Sequence, residues 1–201
     1  MTICIICNKS YSHYPFFNRL SLNRFICSRC YSSFPLVHKT IWLDDVEVYC
    51  LYAYRHPINA LLMDLKMKND IALSKVFLTP FQDFLKFKYH GYIILPIPSS
   101  KKADLKRGFN HIEEISKTLN LKIQKAFYKD KEYKQTSQSF ENRIKVQDVI
   151  KLKSSINPNK KYLLIDDVIT SGNTLKACIK LLRNKGVKKI KILVISNNYH
   201  K

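Results

Sequence analysis

Residues 161–175 read KYLLIDDVITSGNTL. An apolar run ends in two adjacent carboxylates, Asp166 and Asp167, and continues through Thr170, Ser171, Gly172, Asn173 and Thr174. The run predicts a buried strand, and the stripe Leu175, Cys178, Leu181 and Leu182 predicts the helix that follows it. Backbone N–H groups of a small-residue loop entering a helix form a positive cup, to which Thr and Ser hydroxyls add donors, so the loop suits a phosphate. Acidic side chains do not serve that phosphate. They suit the hydroxyls of a neighbouring sugar or a hydrated cation, and a phosphate beside a diol describes a ribose phosphate.

Outward from this stretch a strand–helix rhythm sets the fold class. GYIILPIP (91–98) reads as a buried strand, SSKKADLKRG (99–108) as a basic loop, and Phe109, Ile112, Ile115 and Leu119 as one face of a helix. LKIQKAF (121–127) predicts a short strand, 138–150 a helix and KKIKILVIS (188–196) the last strand. Nearer the N-terminus, VEVYCLYAY (46–54) predicts a strand or hairpin arm. Pro57 opens a helix carrying Ile58, Leu61, Leu62 and Leu65, whose polar face leaves Lys66 in solvent. Part of 74–88 reads as a further helix, with Thr79 and Pro80 at a possible start and Phe81, Phe84 and Leu85 inward. Strands alternating with helices give an α/β fold, a parallel sheet covered by helices on both faces. Its ligands bind outside the carboxyl ends of the strands, where residues 166–174 lie.

The first 40 residues read as a separate module, with 41–201 as the α/β domain. Cys4 and Cys7 form one C-x2-C pair, Cys27 and Cys30 a second, 19 residues apart. That spacing suits a closed four-thiolate Zn2+ site, which holds fold rather than performing chemistry; two disulfides are the competing reading, disfavoured in a reducing compartment. Cys50 and Cys178 sit in apolar surroundings and read as core. His13 and His38 are spare donors, and Phe16, Phe17 and Phe25 either pack around the metal or present a stacking surface for single-stranded nucleic acid.

The chain carries 35 Lys and Arg against 15 Asp and Glu, a formal charge of +20. Such a balance favours phosphate-rich partners, nucleotides or nucleic acid, although a solvated cationic face explains the count as well. Only seven of the cations are Arg. The N-terminus lacks a signal-peptide pattern and no stretch reaches the length of a membrane span, so the expectation is a soluble, cytoplasmic chain.

YLLIDDVITSGNTL resembles the signature of type I phosphoribosyltransferases. The resemblance implies that Asp166 and Asp167 contact the ribose hydroxyls of phosphoribosyl pyrophosphate (PRPP), as the catalytic acids of the reaction, that Thr170, Ser171, Gly172, Asn173 and Thr174 surround its 5′-phosphate, and that Val168 belongs to the same PRPP site. Ser171 and Asn173 depart from the commonest pattern, where Thr and a smaller residue stand. The cysteine pairs followed by YAY (52–54), LMDLKMKND (62–70), LPIPSSKKADLKRGFNH (95–111) and QTSQSFENR (135–143) resemble, over nearly the whole chain, the ComF/GntX family of competence-associated phosphoribosyltransferase-like proteins. This likeness implies a role in DNA uptake and natural transformation, contact with the uptake machinery, Mg2+ accompanying PRPP, and binding of single-stranded DNA by the basic surface and zinc module. The alternative it leaves is an active phosphoribosyltransferase with an unidentified acceptor. Ser99, Ser100, Lys101 and Arg107 supply hydroxyl and cationic donors for a pyrophosphate. Residues 135–143 suit either a loop that closes over substrate or the first turn of a helix.

Overall fold

The computed structural model describes residues 2–11, 25–129, 150–153 and 155–198. Its centre is a strand that covers the quoted stretch and alternates between two cores. Within Lys161–Ile169, Leu163 and Ile165 face one hydrophobic cluster while Tyr162 and Leu164 face the other. This period of two, with both faces apolar, is what burial between two helical layers requires.

The elements in chain order are β1 (Thr2–Ile3), β2 (Ser10–Tyr11), α1 (Ser28–Ser32), β3 (Leu36–Leu43), β4 (Val46–Ala53) and α2 (Ile58–Met67). Then come α3 (Ser74–Leu78), α4 (Gln82–Lys88), β5 (Tyr92–Pro96), α5 (Lys101–Arg107), α6 (His111–Lys117), β6 (Phe127–Lys129) and β7 (Ile150–Leu152). The series ends with β8 (Lys161–Ile169), α7 (Asn173–Asn184) and β9 (Lys189–Asn197). Five strands make the main sheet in the order β3-β4-β9-β8-β5. The β4–β9, β9–β8 and β8–β5 pairs are parallel, and β3 closes one edge antiparallel to β4. β1–β2 and β6–β7 are separate antiparallel pairs.

Ile58, Leu61, Leu62 and Leu65 of α2 are buried, and so are Ile112 and Ile115 of α6 with Leu119 beyond it; all belong to the first cluster. Leu175, Cys178 and Leu182 of α7 join the second. Helices therefore cover both faces of the sheet. Among the described residues no helix is long and apolar enough to cross a membrane.

Three local expectations change. Residues 101–107 form helix α5 where the sequence reads as loop, ended by Gly108 at φ 83° with its N–H bonded to the Asp104 carbonyl. The helix expected within 74–88 is two helices joined by a 3-10 turn over Thr79–Phe81, and the break turns Phe84 outward, where it is 48% exposed. The 121–127 strand reduces to a bridge between Ile123 and Ile94, with β6 starting at Phe127. Residue 40, the expected module boundary, lies inside β3. The helix expected over 138–150 lies outside the described residues apart from Ile150, which starts β7; the 135–143 segment, His13, Phe16 and Phe17 lie outside them entirely.

Candidate functional sites

Two side-chain clusters carry chemistry, one of thiols and one of carboxylates. The Sγ atoms of Cys4, Cys7, Cys27 and Cys30 all lie within 4.8 Å of one another. The turn after β1 brings the first pair together through Asn8 N–H to the Cys4 carbonyl at 2.8 Å, and Cys27 caps α1, which carries Cys30. Cys7 and Cys27 are 3.8 Å apart, matching the roughly 3.8 Å edge of a tetrahedron with about 2.3 Å metal–sulfur bonds. Burial opposes ionisation of Cys4, but N–H donors from Cys27, Cys7 and Ile6 outweigh it and bring the thiol down to about 6. Burial and the neighbouring thiols push Cys30 up, so the four charges are mutually costly until a cation joins them. The donor set fits Zn2+. Cys50 and Cys178 are fully buried core thiols, and burial pushes Cys50 up to about 12.

The acid pair sits where β8 outruns its neighbour. Pro96 pairs with Ile165, the last register contact between β5 and β8, so Asp166 and Asp167 project beyond that edge next to the chain leaving β5. Asp167 turns inward: its Oδ2 accepts from Lys66 Nζ and, at 3.0 Å, from His111 Nε2, while Oδ1 accepts from Val168 N–H at 2.7 Å. Asp166 is half-buried, and its Oδ1 accepts from the Asp167 N–H at 2.9 Å. Burial would raise Asp167, but the His111 hydrogen bond and the Lys66 charge hold it below the usual carboxylate range. Burial and then the Asp167 charge push Asp166 well above that range. The two carboxyls are thus shifted in opposite directions, Asp167 towards its ionised form and Asp166 towards its neutral one.

After β8, Thr170 and Ser171 are exposed, and Gly172 stands as the N-cap of α7 at φ 72°. A Cβ there would lie 2.8 Å from Leu43 Cδ1, so both conformation and space call for glycine. Asn173 and Thr174, half-buried, begin the helix; Asn173 N–H reaches Ser171 Oγ at 3.5 Å, and Asn198 N–H to the Ile169 carbonyl ties the loop to the end of β9. Gly172 has no side chain to cap the first turn of α7, whose Asn173 N–H has only the long contact to Ser171 Oγ.

A model of the phosphoribosyl transferase domain matches residues 105–201. Competence protein ComFC of Streptococcus pneumoniae is 27% identical over 94% of this chain and 96% of its own length. Competence protein F of Haemophilus influenzae is 23% identical over 94% and 88% respectively. The structure of APRTase from Giardia lamblia complexed with 9-deazaadenine covers 85% of this chain and 97% of that one, at 15% identity and TM-score 0.40.

Over nearly its whole length this chain is similar to competence proteins of the ComF type.

Its α/β part is a phosphoribosyltransferase-type domain, as the family resemblance implies, and its cysteine cluster is compatible with a zinc ribbon. Arg107 is turned inward: its side chain is 8% exposed and bonded to the Lys66 carbonyl, Asp104 and His111. Ser99 is likewise engaged, donating to Asp104 and accepting from Asn110 at 2.8 Å. Ser100 and Lys101, at the start of α5, remain outward. Lys66, expected in solvent, pairs with Asp167 instead. A cleft of about 1070 Å3 includes Ser99, Lys101, Asn110, Phe127 and Lys153 in its wall but none of residues 166–174. His111 and Asp104 receive no role in the sequence reading, since His111 sits one position from an apolar stripe and carries no spacing signal of its own, and Asn110 enters it only through the family block 95–111.

Proposed function

We propose that this ComF-like protein binds PRPP with Mg2+ and acts in DNA uptake during natural transformation, engaging single-stranded DNA through its basic surface and cysteine module. One observation carries the ligand reading: the half-buried Asp166 carboxyl and the start of α7 with its Thr–Ser–Gly–Asn–Thr loop share one end of β8. That combination accepts hydrogen bonds from a diol and donates them to a phosphate within a few residues. Mg2+ is bound through one or two carboxylates together with substrate phosphates, a role that Asp166 fits and that the fully engaged Asp167 does not. The uptake role is supported by two relatives matched over nearly their full length that are competence proteins. The excess of 20 positive charges supports a polyanion partner.

Titration calorimetry with Mg2+ and PRPP is expected to show saturable binding that disappears in Asp166→Asn. No binding by the wild-type chain sinks the ligand reading. Affinity for a single-stranded oligonucleotide is expected to fall steeply with salt as neutralised phosphates release counterions; a flat salt profile removes the nucleic-acid part. The cleft beside Ser99 and Lys101 favours a second reading, turnover with an acceptor base seated there. Pyrophosphate release from PRPP, measured with and without nucleobases and DNA, decides between binding and catalysis.

A further inference from the structure

We propose that Lys66, His111 and Arg107 are positioning residues that hold the Asp167 carboxylate, and through it the end of β8, in one orientation. This inference rests on the reading of residues 166–174 as a sugar-phosphate site. Four elements meet in the relay. Lys66 comes from the last turn of α2, Arg107 from the end of α5, His111 from the start of α6 and Asp167 from β8. Arg107 Nε donates to the Lys66 carbonyl at 3.1 Å, and its Nη1 lies 3.0 Å from His111 Nδ1 and 3.3 Å from Asp104 Oδ1. Asp104 is held in turn by Ser99 and by Asn110 Nδ2 at 3.1 Å, and Asn110 Oδ1 caps α6 by accepting from Glu113 N–H at 3.0 Å.

The direction of each hydrogen bond follows from the chemistry of the donors. A guanidinium has N–H groups and no acceptor, so His111 Nδ1 accepts from Arg107. The ring proton therefore sits on Nε2 and points at Asp167 Oδ2, beside Lys66 Nζ. With Val168 N–H on Oδ1, both oxygens of Asp167 are occupied and the side chain has one orientation. The same carboxylate thereby fixes the peptide N–H that follows it, while Asp166 Oδ1 takes the Asp167 N–H. The rotamer of the outward acid depends on the locked inward one. Packing alone does not call for such a cluster, because well-packed apolar residues hold a core as firmly as buried charges do. A site whose donors must stand within a fraction of an ångström does call for it.

Two substitutions of His111 separate positioning from packing. Glutamine places an amide N–H near the position of Nε2 and keeps the donor to Asp167. Asparagine reaches only the Nδ1 position, satisfies Arg107 and leaves Asp167 one donor short. Since a hydrogen bond to a charged group contributes about 1.5–3 kcal/mol, His111→Asn is expected to weaken Mg2+–PRPP binding about tenfold or more, with His111→Gln recovering most of the loss. Ring 15N spectra of the wild-type protein are expected to show a protonated Nε2 and a bare Nδ1, with the preference weakened in Arg107→Met. Equal affinities for wild type, Gln and Asn variants overturn the positioning role, as do equal losses that follow the melting temperature in both variants. A wild-type ring protonated on Nδ1 overturns it whatever the affinities. Should the wild-type chain bind no PRPP, the sugar-phosphate reading fails and the positioning role fails with it; a protonated Nε2 would then mark the relay as structural only.

Discussion

Two neighbouring aspartates in one strand have opposite electrostatic fates, and the difference is testable. Asp167, buried against Lys66 and His111, has its carboxyl held below the usual range. Its folded-state value is lower than the unfolded one, so it stabilises the protein above about pH 4, the unfolded value, and that contribution is lost as pH falls through the folded value. Removing one partner of a buried pair costs about 3–5 kcal/mol, and Asp167→Asn should lower stability in denaturant titrations by that order. Asp166 is the reverse. Burial and the Asp167 charge raise its folded-state value, so the carboxyl stabilises the fold fully below about pH 4 and this contribution is lost as pH rises through the raised value. At pH values above that point Asp166→Asn is expected to raise the melting temperature while abolishing Mg2+–PRPP binding, a trade expected where a strained charge serves a ligand. A fall in melting temperature for Asp166→Asn, or a rise for Asp167→Asn, would reverse the assignment of roles. The sequence shows that both acids stand at the strand end. It does not show which one faces inward, because that depends on Lys66 and His111, lying 101 and 56 positions away respectively.

Legibility at the level of elements follows the source of each element's stability. β4, α2, β5, α6, β8, α7 and β9 are readable because each buries an apolar stripe at its own period, as Ile58, Leu61, Leu62 and Leu65 do in α2. α5 is not readable: Leu105, its large apolar residue, is 70% exposed, and the helix is held by Gly108 at its end and by Arg107 turned into polar partners. A periodicity search has nothing to find there. The split between α3 and α4 has a related origin, since Pro80 in the 3-10 turn resets the helical phase and Phe84 ends against Tyr49 at 6.0 Å between centroids, on the outside. The phosphate loop is readable in composition, yet the reason for its glycine is tertiary. Gly172 adopts φ 72° and lies under Leu43, a residue of β3 that is 1% exposed. Gly172→Ala is expected to destabilise the fold by about 1–3 kcal/mol through the left-handed backbone, with a further loss of PRPP affinity as the start of α7 shifts. Urea unfolding and calorimetry on the same sample check both, and a fully stable Gly172→Ala protein would mean that the loop relaxes around the new methyl group.

At the scale of the whole molecule the cysteine module and the α/β domain share a core. Cys4, Ile26 and Phe34 belong to the same buried cluster as Tyr52, Phe77 and Leu85. A chain of rings runs from Tyr31 to Phe34 at 5.9 Å, from Phe34 to Tyr52 at 5.6 Å and from Tyr52 to Phe81 at 5.9 Å, while the Tyr52 hydroxyl donates to the Phe77 carbonyl at 2.8 Å. Lys75 of α3 lies over the Phe25 ring at 4.8 Å. β3 follows Pro35 directly into the main sheet, so little chain separates the thiols from the edge strand. A module read from cysteine spacing alone looks autonomous, because spacing carries no record of what its aromatic residues touch. A metal bound to the four thiols would therefore stabilise the sheet as well as the knuckles. Zinc at about 1,000 times its dissociation constant adds about 4 kcal/mol to the folded state, and each kcal/mol moves the melting temperature of a chain this long by roughly 2–4 °C. Chelation is therefore expected to lower one cooperative transition by roughly 8–16 °C, with tyrosine near-ultraviolet dichroism lost along the same curve. Two separate transitions after chelation, the upper one unmoved, would show that the ring contacts between Phe34 and Tyr52 transmit no stability and that the module folds by itself.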